Sequence, residues 1–185
     1  VSDMKNSLFL PSKKTIPVLF NVHEKLTILA GAGISMASPS NLPSAKQIVA
    51  YLLEIACPDN FASYIFNLPI LRFEILIEIF KKYIDPELKF LDYLEEKSTP
   101  NLIHYFLALM IKKDKAVMTT NFDYLIEYAL MNILPNNNTI KPIITQKDFI
   151  ECAEGKYQEK FKIFKLHGSK KNIIEQKSTE KSLIT

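Results

Sequence analysis

The feature that most constrains this chain is the alternation of short apolar runs with longer segments of helical periodicity. Four runs are typical of buried strands: Leu26 to Ala30, Lys115 to Thr119, Ile140 to Thr145 and Phe161 to Leu166. Segments between them place apolar residues at helical spacing, as in Phe122 to Met131 and Gln146 to Ala153. Because strands alternate with helices, the pattern predicts an α/β fold in which a parallel sheet is flanked by helices.

The connection between the first two strands is too long for one crossover helix. A simple βαβ unit takes about 30 residues, whereas the stretch from Ala30 to Lys115 is far longer. Its periodicity predicts helices at Pro43 to Cys57, Leu71 to Ile84, Glu87 to Glu96 and Thr99-Pro100 to about Lys112, the last with Thr99 as N-cap. We therefore predict a helical subdomain at about residues 43–98, inserted into a domain that covers residues 25–185. Residues 1–24 show little periodicity, and we expect an N-terminal arm.

The composition excludes several functional classes. No apolar run approaches the ~18 residues that a membrane span needs, and the first residues lack the pattern of a signal peptide. The net charge of +3 is too small to indicate nucleic-acid binding. Cys57 and Cys152 have no CxxC partner, so we expect no zinc site and predict reduced thiols in a cytoplasmic protein.

Glycine is scarce, which draws attention to the places where it occurs. The chain has four glycines, whereas ordinary usage of ~7% would give about thirteen. Two of them follow the first strand in Gly31-Ala32-Gly33-Ile34-Ser35. Glycines at such a turn let the backbone approach a pyrophosphate. The alternative is a tight structural turn, since Met36 replaces the third glycine of a dinucleotide-binding GxGxxG motif.

Two further polar motifs follow strands. Thr119-Thr120-Asn121-Phe122-Asp123 lies where an open α/β sheet binds its ligands, although Thr120 or Asn121 alone is also a good helix N-cap. Lys165-Leu166-His167-Gly168-Ser169 ends the last strand with a histidine, which acts as a base near neutral pH. A structural role for this histidine is the alternative.

Taken in order, the three motifs resemble those of the sirtuin superfamily. Gly31 to Ser35 matches that family's GAGIS loop, Thr120 to Asp123 is similar to its Gln-Asn-Ile-Asp motif, and Leu166 to Gly168 is similar to its catalytic His-Gly. The segment with Pro100-Asn101, His104 and Leu107 resembles the helix that precedes the family's second strand. Within it, we interpret His104 as a core histidine. The resemblance covers roughly residues 25–169 and implies a Rossmann-like sheet that binds NAD.

Departures from the family pattern distinguish its branches. Sirtuin deacylases have a Pro-Asp-Phe-Arg segment where this chain has Leu42-Pro43-Ser44-Ala45, and four zinc-binding cysteines after His-Gly, where Lys170 to Thr185 contains none. Without the phenylalanine and arginine, water is the easier nucleophile. The sequence Thr119-Thr120-Asn121-Phe122-Asp123 resembles the corresponding motif of the sirtuin-like NAD-hydrolysing domains of prokaryotic antiviral defence. Those domains usually form the N-terminal part of longer effectors.

The resemblance assigns roles to individual residues. Asn121 and His167 are the expected catalytic residues: the amide orients the ribose or the attacking water, and the imidazole acts as base. The NAD pyrophosphate is expected at Gly31 to Gly33, and nicotinamide near Ile34, Phe122 and Asp123. The full predicted NAD-binding set is Gly31, Ala32, Gly33, Ile34, Ser35, Thr120, Phe122, Asp123, Gly168 and Ser169.

Three functions therefore remain open. An NAD glycohydrolase that acts as a defence effector is favoured over a non-catalytic module that senses NAD or ADP-ribose, and over an NAD-dependent deacylase. A second copy of the chain, or a fused or associated sensor domain, is the expected partner besides NAD. Sirtuin-like domains continue beyond His-Gly, so we expect further strands after Thr185, with Ser182 to Thr185 as their start.

Overall fold

A computed structural model describes residues 26–68, 72–96 and 99–179 of the chain. Within these ranges, four strands form a parallel sheet in the order β1-β2-β4-β3. The strands are β1 (Thr27–Ala30), β2 (Ala116–Thr119), β3 (Ile140–Ile143) and β4 (Phe161–Lys165), and a short antiparallel pair follows, β5 (Lys171–Asn172) with β6 (Lys177–Ser178). The predicted α/β class with a parallel sheet is confirmed. Three predictions fall on residues outside the described ranges: the N-terminal arm at 1–24, the helix start at Leu71 and the strand start at 182–185.

Helices separate the strands and flank the sheet. Their bounds are α1 (Ala45–Ala56), α2 (Asp59–Phe66), α3 (Phe73–Tyr83), α4 (Asp92–Glu95), α5 (Leu102–Lys112), α6 (Leu125–Ile133) and α7 (Gln146–Ala153). Short 3-10 turns occur at Ala32–Ser35, Lys89–Leu91 and Asn137–Thr139. Helices α1 to α5 lie between β1 and β2, so the predicted helical insertion is confirmed; α2 was not predicted.

Side-chain caps explain where several helices begin. Ser44 forms a capping box with Gln47 at α1, and Thr145 forms one with Asp148 at α7. The predicted cap at Thr99 is wrong, because α5 begins at Leu102 and Asn101 accepts hydrogen bonds from the first turn.

The predicted start of the next helix at Phe122 is also wrong. Helix α6 begins at Leu125, where the Leu125 amide donates to Asp123 Oδ1. Asp123 thus satisfies the first amide of the helix and leaves residues 120–124 as a loop.

The register of the sheet brings three strand ends to one edge. Ala30 of β1 lies opposite Thr119 of β2, and Thr119 lies opposite Lys165 of β4. Because all these strands run parallel, the segments that follow them leave the sheet side by side.

Two hydrophobic clusters meet at this edge. One lies between the sheet and helices α5 and α6 and includes Leu107, Val117 and Ile163. The other lies inside the helical insertion, around Leu52, Ile77 and Phe80. Leu125 of α6 belongs to the second cluster, so the insertion packs directly against the helix that follows the Asn121–Asp123 loop.

No helix in the described ranges is long and apolar enough to cross a bilayer.

Asn101 connects the helical insertion to the loop after β1. Its Oδ1 accepts from the amides of Ile103 and His104, and its Nδ2 donates to the carbonyls of Ile34 at 2.8 Å and Ala37 at 3.2 Å. All hydrogen-bonding capacity of this buried amide is therefore used.

We predict that Asn101→Ala lowers the free energy of unfolding by about 3 kcal/mol, since a cap and two further hydrogen bonds are lost. Urea denaturation measures the change. Asn67→Ala is the control, because exposed Asn67 makes a single local bond to the Ser63 carbonyl; its expected cost is about 0.5 kcal/mol or less. Equal losses for the two variants would contradict the structural role of Asn101.

Candidate functional site

A pocket opens at the edge where β1, β2 and β4 end; we call it the strand-end pocket. Its sheet side is lined by Ala32, Ser35, Thr120, Asn121, Phe122, Asp123 and His167, and its other side mostly by residues of the helical insertion, including Pro43, Ala45, Ile48, Phe73 and Leu94. The cavity volume is about 170 Å³. An apolar cavity of about 150 Å³ holds a benzene molecule, so the strand-end pocket has room for a single ring.

The structure brings together residues from all three motifs, but not every predicted residue lines the pocket. Ile34 instead packs against the hydrophobic cluster beneath the sheet edge. Ser169 is buried behind the His167 turn. Gly168 has φ 72°, and its amide donates to the Lys165 carbonyl at 3.1 Å, so this glycine serves the turn that presents His167.

Gly31 and Gly33 are not required by the conformation of the chain or by its packing. Gly31 has φ −119°, and Gly33 lies in the 3-10 turn. A Cβ atom at Gly31 would meet only Thr120 Oγ1 at an ordinary 3.7 Å, and one at Gly33 would meet nothing within 4 Å. At Gly33 the absence of a side chain therefore leaves open space over the loop, which is what close approach of a ligand to the backbone requires.

A buried hydrogen-bond network joins the loops after β1 and β2. The Ser35 hydroxyl donates to Asp123 Oδ2 at 2.8 Å. Asn121 Nδ2 lies 3.2 Å from both Ser35 Oγ and Asp123 Oδ2 and donates to them. All three side chains are buried. The network therefore fixes the relative positions of three predicted site residues.

His104 of α5 extends this network, which the sequence did not reveal. Its Nδ1 accepts from the Asn101 backbone amide at 3.1 Å, so its Nε2 carries the proton and donates to Ser35 Oγ, also at 3.1 Å. The imidazole is fully buried, which confirms its interpretation as a core histidine. The three-residue spacing from Asn101 to His104, typical of a capping box, was the available signal.

Among the described residues, one buried side-chain oxygen of the pocket lining makes no hydrogen bond. Asn121 Oδ1 is buried and has no partner among the described residues. Buried polar atoms are usually satisfied, so an exception of this kind calls for a ligand or a water molecule. The same side chain is held by its Nδ2, which leaves the oxygen as a positioned acceptor.

His167 is held by backbone and ring contacts. The Leu166 amide donates to the Thr119 carbonyl at 2.8 Å, which ties the turn to the end of β2. The imidazole packs against Phe122 with ring centroids 6.1 Å apart, and Phe122 packs against Phe73 of the insertion at 6.0 Å. The imidazole is half-buried at the wall of the pocket, where it can contact a bound molecule.

In the part of the chain that the structure describes, the side-chain arrangement gives no support to metal ligation. No group of three or more His, Cys, Asp or Glu side chains in residues 26–68, 72–96 and 99–179 is placed to hold a metal ion. The expectation that the protein binds no zinc stays a prediction.

Part of this site has a counterpart among known protein families. A model of the SIR2-like domain matches residues 115–184. The match begins just before β2 and includes the Asn121–Asp123 loop and His167, but it covers fewer than half of the 185 residues and leaves out Gly31 to Ser35. It supports a relation to the sirtuin-like superfamily and an NAD-related function in general. Searches of curated proteins and of solved structures each found no match.

The pKa of His104 yields a prediction about stability. Burial lowers this pKa below its ordinary value of 6.5, and the nearby Asp123 carboxylate opposes the effect only in part. The unfolded chain therefore binds a proton at a pH where folded His104 does not, and stability present above about pH 6.5 is lost as the pH falls further.

We expect the wild-type protein to lose more unfolding free energy between pH 7.5 and pH 5.5 than His104→Gln, because glutamine can keep both hydrogen bonds without titrating. Urea denaturation at the two pH values measures both losses. Equal losses in the two proteins would show that His104 does not carry the pH dependence.

Proposed function

We propose that this chain is an NAD glycohydrolase, which binds NAD in the strand-end pocket and transfers its ADP-ribose part to water. The observation that carries the proposal is Asn121 Oδ1, a buried acceptor without a partner among the described residues, in a pocket that Asp123 and His167 also line. The resemblance and the SIR2-like match to residues 115–184 support the choice of NAD. The resemblance further leads us to propose that the domain is the effector of a larger antiviral-defence protein.

Nicotinamide fits the pocket in size and in hydrogen bonding. It is one aromatic ring with a carboxamide, which suits the cavity of about 170 Å³. Asp123 Oδ2 already accepts from Ser35 and Asn121, whereas Asp123 Oδ1 accepts from the Leu125 amide and has a lone pair left. That lone pair accepts a hydrogen bond from the carboxamide NH₂ group. Phe122 supplies an apolar surface for the ring.

The rest of NAD extends over the glycine loop. Gly33 leaves open space in which a pyrophosphate approaches the backbone, and Gly31 adds no side chain beside it. Ala32, which lies between them, borders the pocket. The ribose that joins the two parts then lies between this loop and the Asn121 and His167 side chains.

The reaction needs one bond broken and one formed. The electron pair of the glycosidic bond leaves with nicotinamide, positive charge builds on the ribose, and a water oxygen bonds to the same carbon. Asn121 Oδ1 accepts a hydrogen bond from the water or from a ribose hydroxyl, which places the reacting atoms. His167 takes the proton that the water loses. Nicotinamide and ADP-ribose are the products.

The wall beside α1 favours water over an acyl group as the acceptor. Here the segment Leu42 to Ala45 stands where the resemblance gives deacylases a phenylalanine and an arginine. Pro43 and Ala45 border the pocket, and Ser44 is held by its bonds to Gln47. No side chain of this segment is an aromatic ring that would shield the ribose, so water keeps its access.

Nicotinamide release from NAD tests the proposal directly. The purified chain is incubated with NAD, with and without an acetylated peptide, and NAD binding is measured by calorimetry. Release without peptide supports the hydrolase. Release only with peptide would indicate a deacylase, and binding without release a sensor. Failure both to bind and to cleave NAD would overturn the proposal.

We predict that Asn121→Ala and His167→Ala each lower kcat for nicotinamide release by about 10²–10⁴-fold, because each removes a group that acts on the reacting water or ribose. Asn132→Ala is the matched control: exposed Asn132 lies on α6 and bonds to the Tyr105 hydroxyl, so its loss leaves kcat unchanged. Circular dichroism checks that all variants are folded. Wild-type turnover in both site variants would refute the assignment.

The remaining parts of the proposal follow from the composition and the resemblance. NAD is a substrate rather than a resident cofactor, and zinc has no part in the reaction. We place the protein in the cytoplasm. Its partner is a second copy of the chain or a sensor domain that controls access to NAD.

A further inference from the structure

A buried pair of charged side chains lies beneath the strand-end pocket and has no part in the proposed reaction. Lys165 Nζ, at the end of β4, is 3.1 Å from Glu127 Oε1 on α6. The two side chains are 0% and 2% exposed. The Lys165 ammonium also lies 4.6 Å from the centre of the Tyr124 ring. Burying two charges is costly, and well-packed apolar residues of the same size usually stabilise a fold as well or better. Stability alone therefore explains this pair poorly.

Lys165 holds both loops that carry the predicted catalytic residues. Its Nζ donates to the backbone carbonyl of Asp123 at 2.7 Å, which fixes the loop of residues 120–124. Its own backbone carbonyl accepts from the Gly168 amide at 3.1 Å, which fixes the turn that presents His167. The Lys165 side chain thus holds one loop and its backbone holds the other, so the segments that carry Asn121 and His167 are both bonded to this residue.

Glu127 keeps this arrangement in place. Burial raises the pKa of Glu127, and the adjacent Lys165 opposes that effect. The lysine thus offsets part of the cost that the carboxylate incurs by leaving water. An apolar residue at position 127 would leave the Lys165 ammonium buried without a counter-charge.

We propose that Lys165 is a positioning residue, which sets the distance between the Asn121–Asp123 loop and the His167 turn, and that Glu127 serves as its buried counter-charge. The expected effect of a Lys165 substitution on turnover rests on the proposed NAD hydrolysis. Its expected effect on the structure of the loop does not, because amide hydrogen exchange measures that effect without any reaction.

The test separates positioning from stability. Lys165→Met leaves Glu127 unpaired and lowers the melting temperature. The double variant Lys165→Met/Glu127→Leu replaces the whole pair with apolar side chains, so its melting temperature returns to near the wild-type value. Its kcat for nicotinamide release stays about 10–100-fold below wild type, because the reacting groups are misplaced, while KM for NAD changes little. Recovery of kcat together with the melting temperature would overturn the proposal.

Lys141→Met is the matched control. Lys141 of β3 is also a buried lysine with acidic partners, Asp148 at 2.9 Å and Glu175 at 2.8 Å, but neither partner belongs to the Asn121–Asp123 loop or to the His167 turn. We expect this variant to lose thermal stability and to keep the wild-type kcat. A loss of kcat equal to that of Lys165→Met would show that any buried lysine has the same effect, which would overturn a specific role for Lys165.

Amide hydrogen exchange tests the loop without any reaction. The Asn121 amide donates to Thr119 Oγ1 at 3.0 Å and the Leu125 amide to Asp123 Oδ1 at 3.1 Å. In the double variant both amides should exchange at least about tenfold faster, as protection at a locally opened loop falls, while the amides of β3 stay protected. Unchanged protection at Asn121 and Leu125 would refute the positioning role. If the wild-type chain neither binds nor cleaves NAD, the proposed function fails, and the exchange result alone decides the role of Lys165.

Discussion

The hydrogen bond from the Ser35 hydroxyl to Asp123 Oδ2 is the contact on which the site depends, because it joins the loop after β1 to the loop after β2. Asn121 donates to both partners, and His104 donates to the same hydroxyl from α5. Every member of this network is buried, so each needs the others to remain satisfied. Asn121 Oδ1, an acceptor without a partner among the described residues, is held in place because the Nδ2 of the same amide is bonded.

The parallel register makes this network possible, and the helical insertion completes it. Since Ala30, Thr119 and Lys165 are aligned across three strands, the polar segments after them emerge together. The sheet alone would leave those segments open to water on one side. Helices α1, α3 and α4 close that side with apolar residues, and Phe73 continues the ring contacts from Phe122 to His167. The polar side chains at the strand ends and the apolar wall of the pocket thus come from separate parts of the chain.

The strands, the parallel sheet and the long insertion could be predicted from the sequence because apolar periodicity determines them locally. The motifs that contain Ser35, Asn121 and Asp123 stood out because each follows a strand, whereas the roles expected for these residues came from the resemblance to sirtuins. The starts of α5 and α6 were wrong because their caps depend on tertiary contacts: Asn101 also bonds to Ile34 and Ala37, and Asp123 also bonds to Ser35. The hydrogen-bond partner of His104 could not be predicted from the sequence for the same reason, since Ser35 lies far away in the chain.

The burial of Lys165 is the clearest example of a feature that the sequence pattern could not predict. A lysine at the end of an apolar strand looks like a residue whose side chain reaches water, yet this one is 0% exposed. Its partner Glu127 lies on the inner face of a helix that is otherwise apolar there. By contrast, the partners of Lys141 keep some contact with solvent. Among the described residues, an ion pair with both members buried thus lies at the edge where the three motifs end. Because such charge is costly wherever it occurs, its placement beneath the pocket is better explained by the positioning role proposed for Lys165 than by stability.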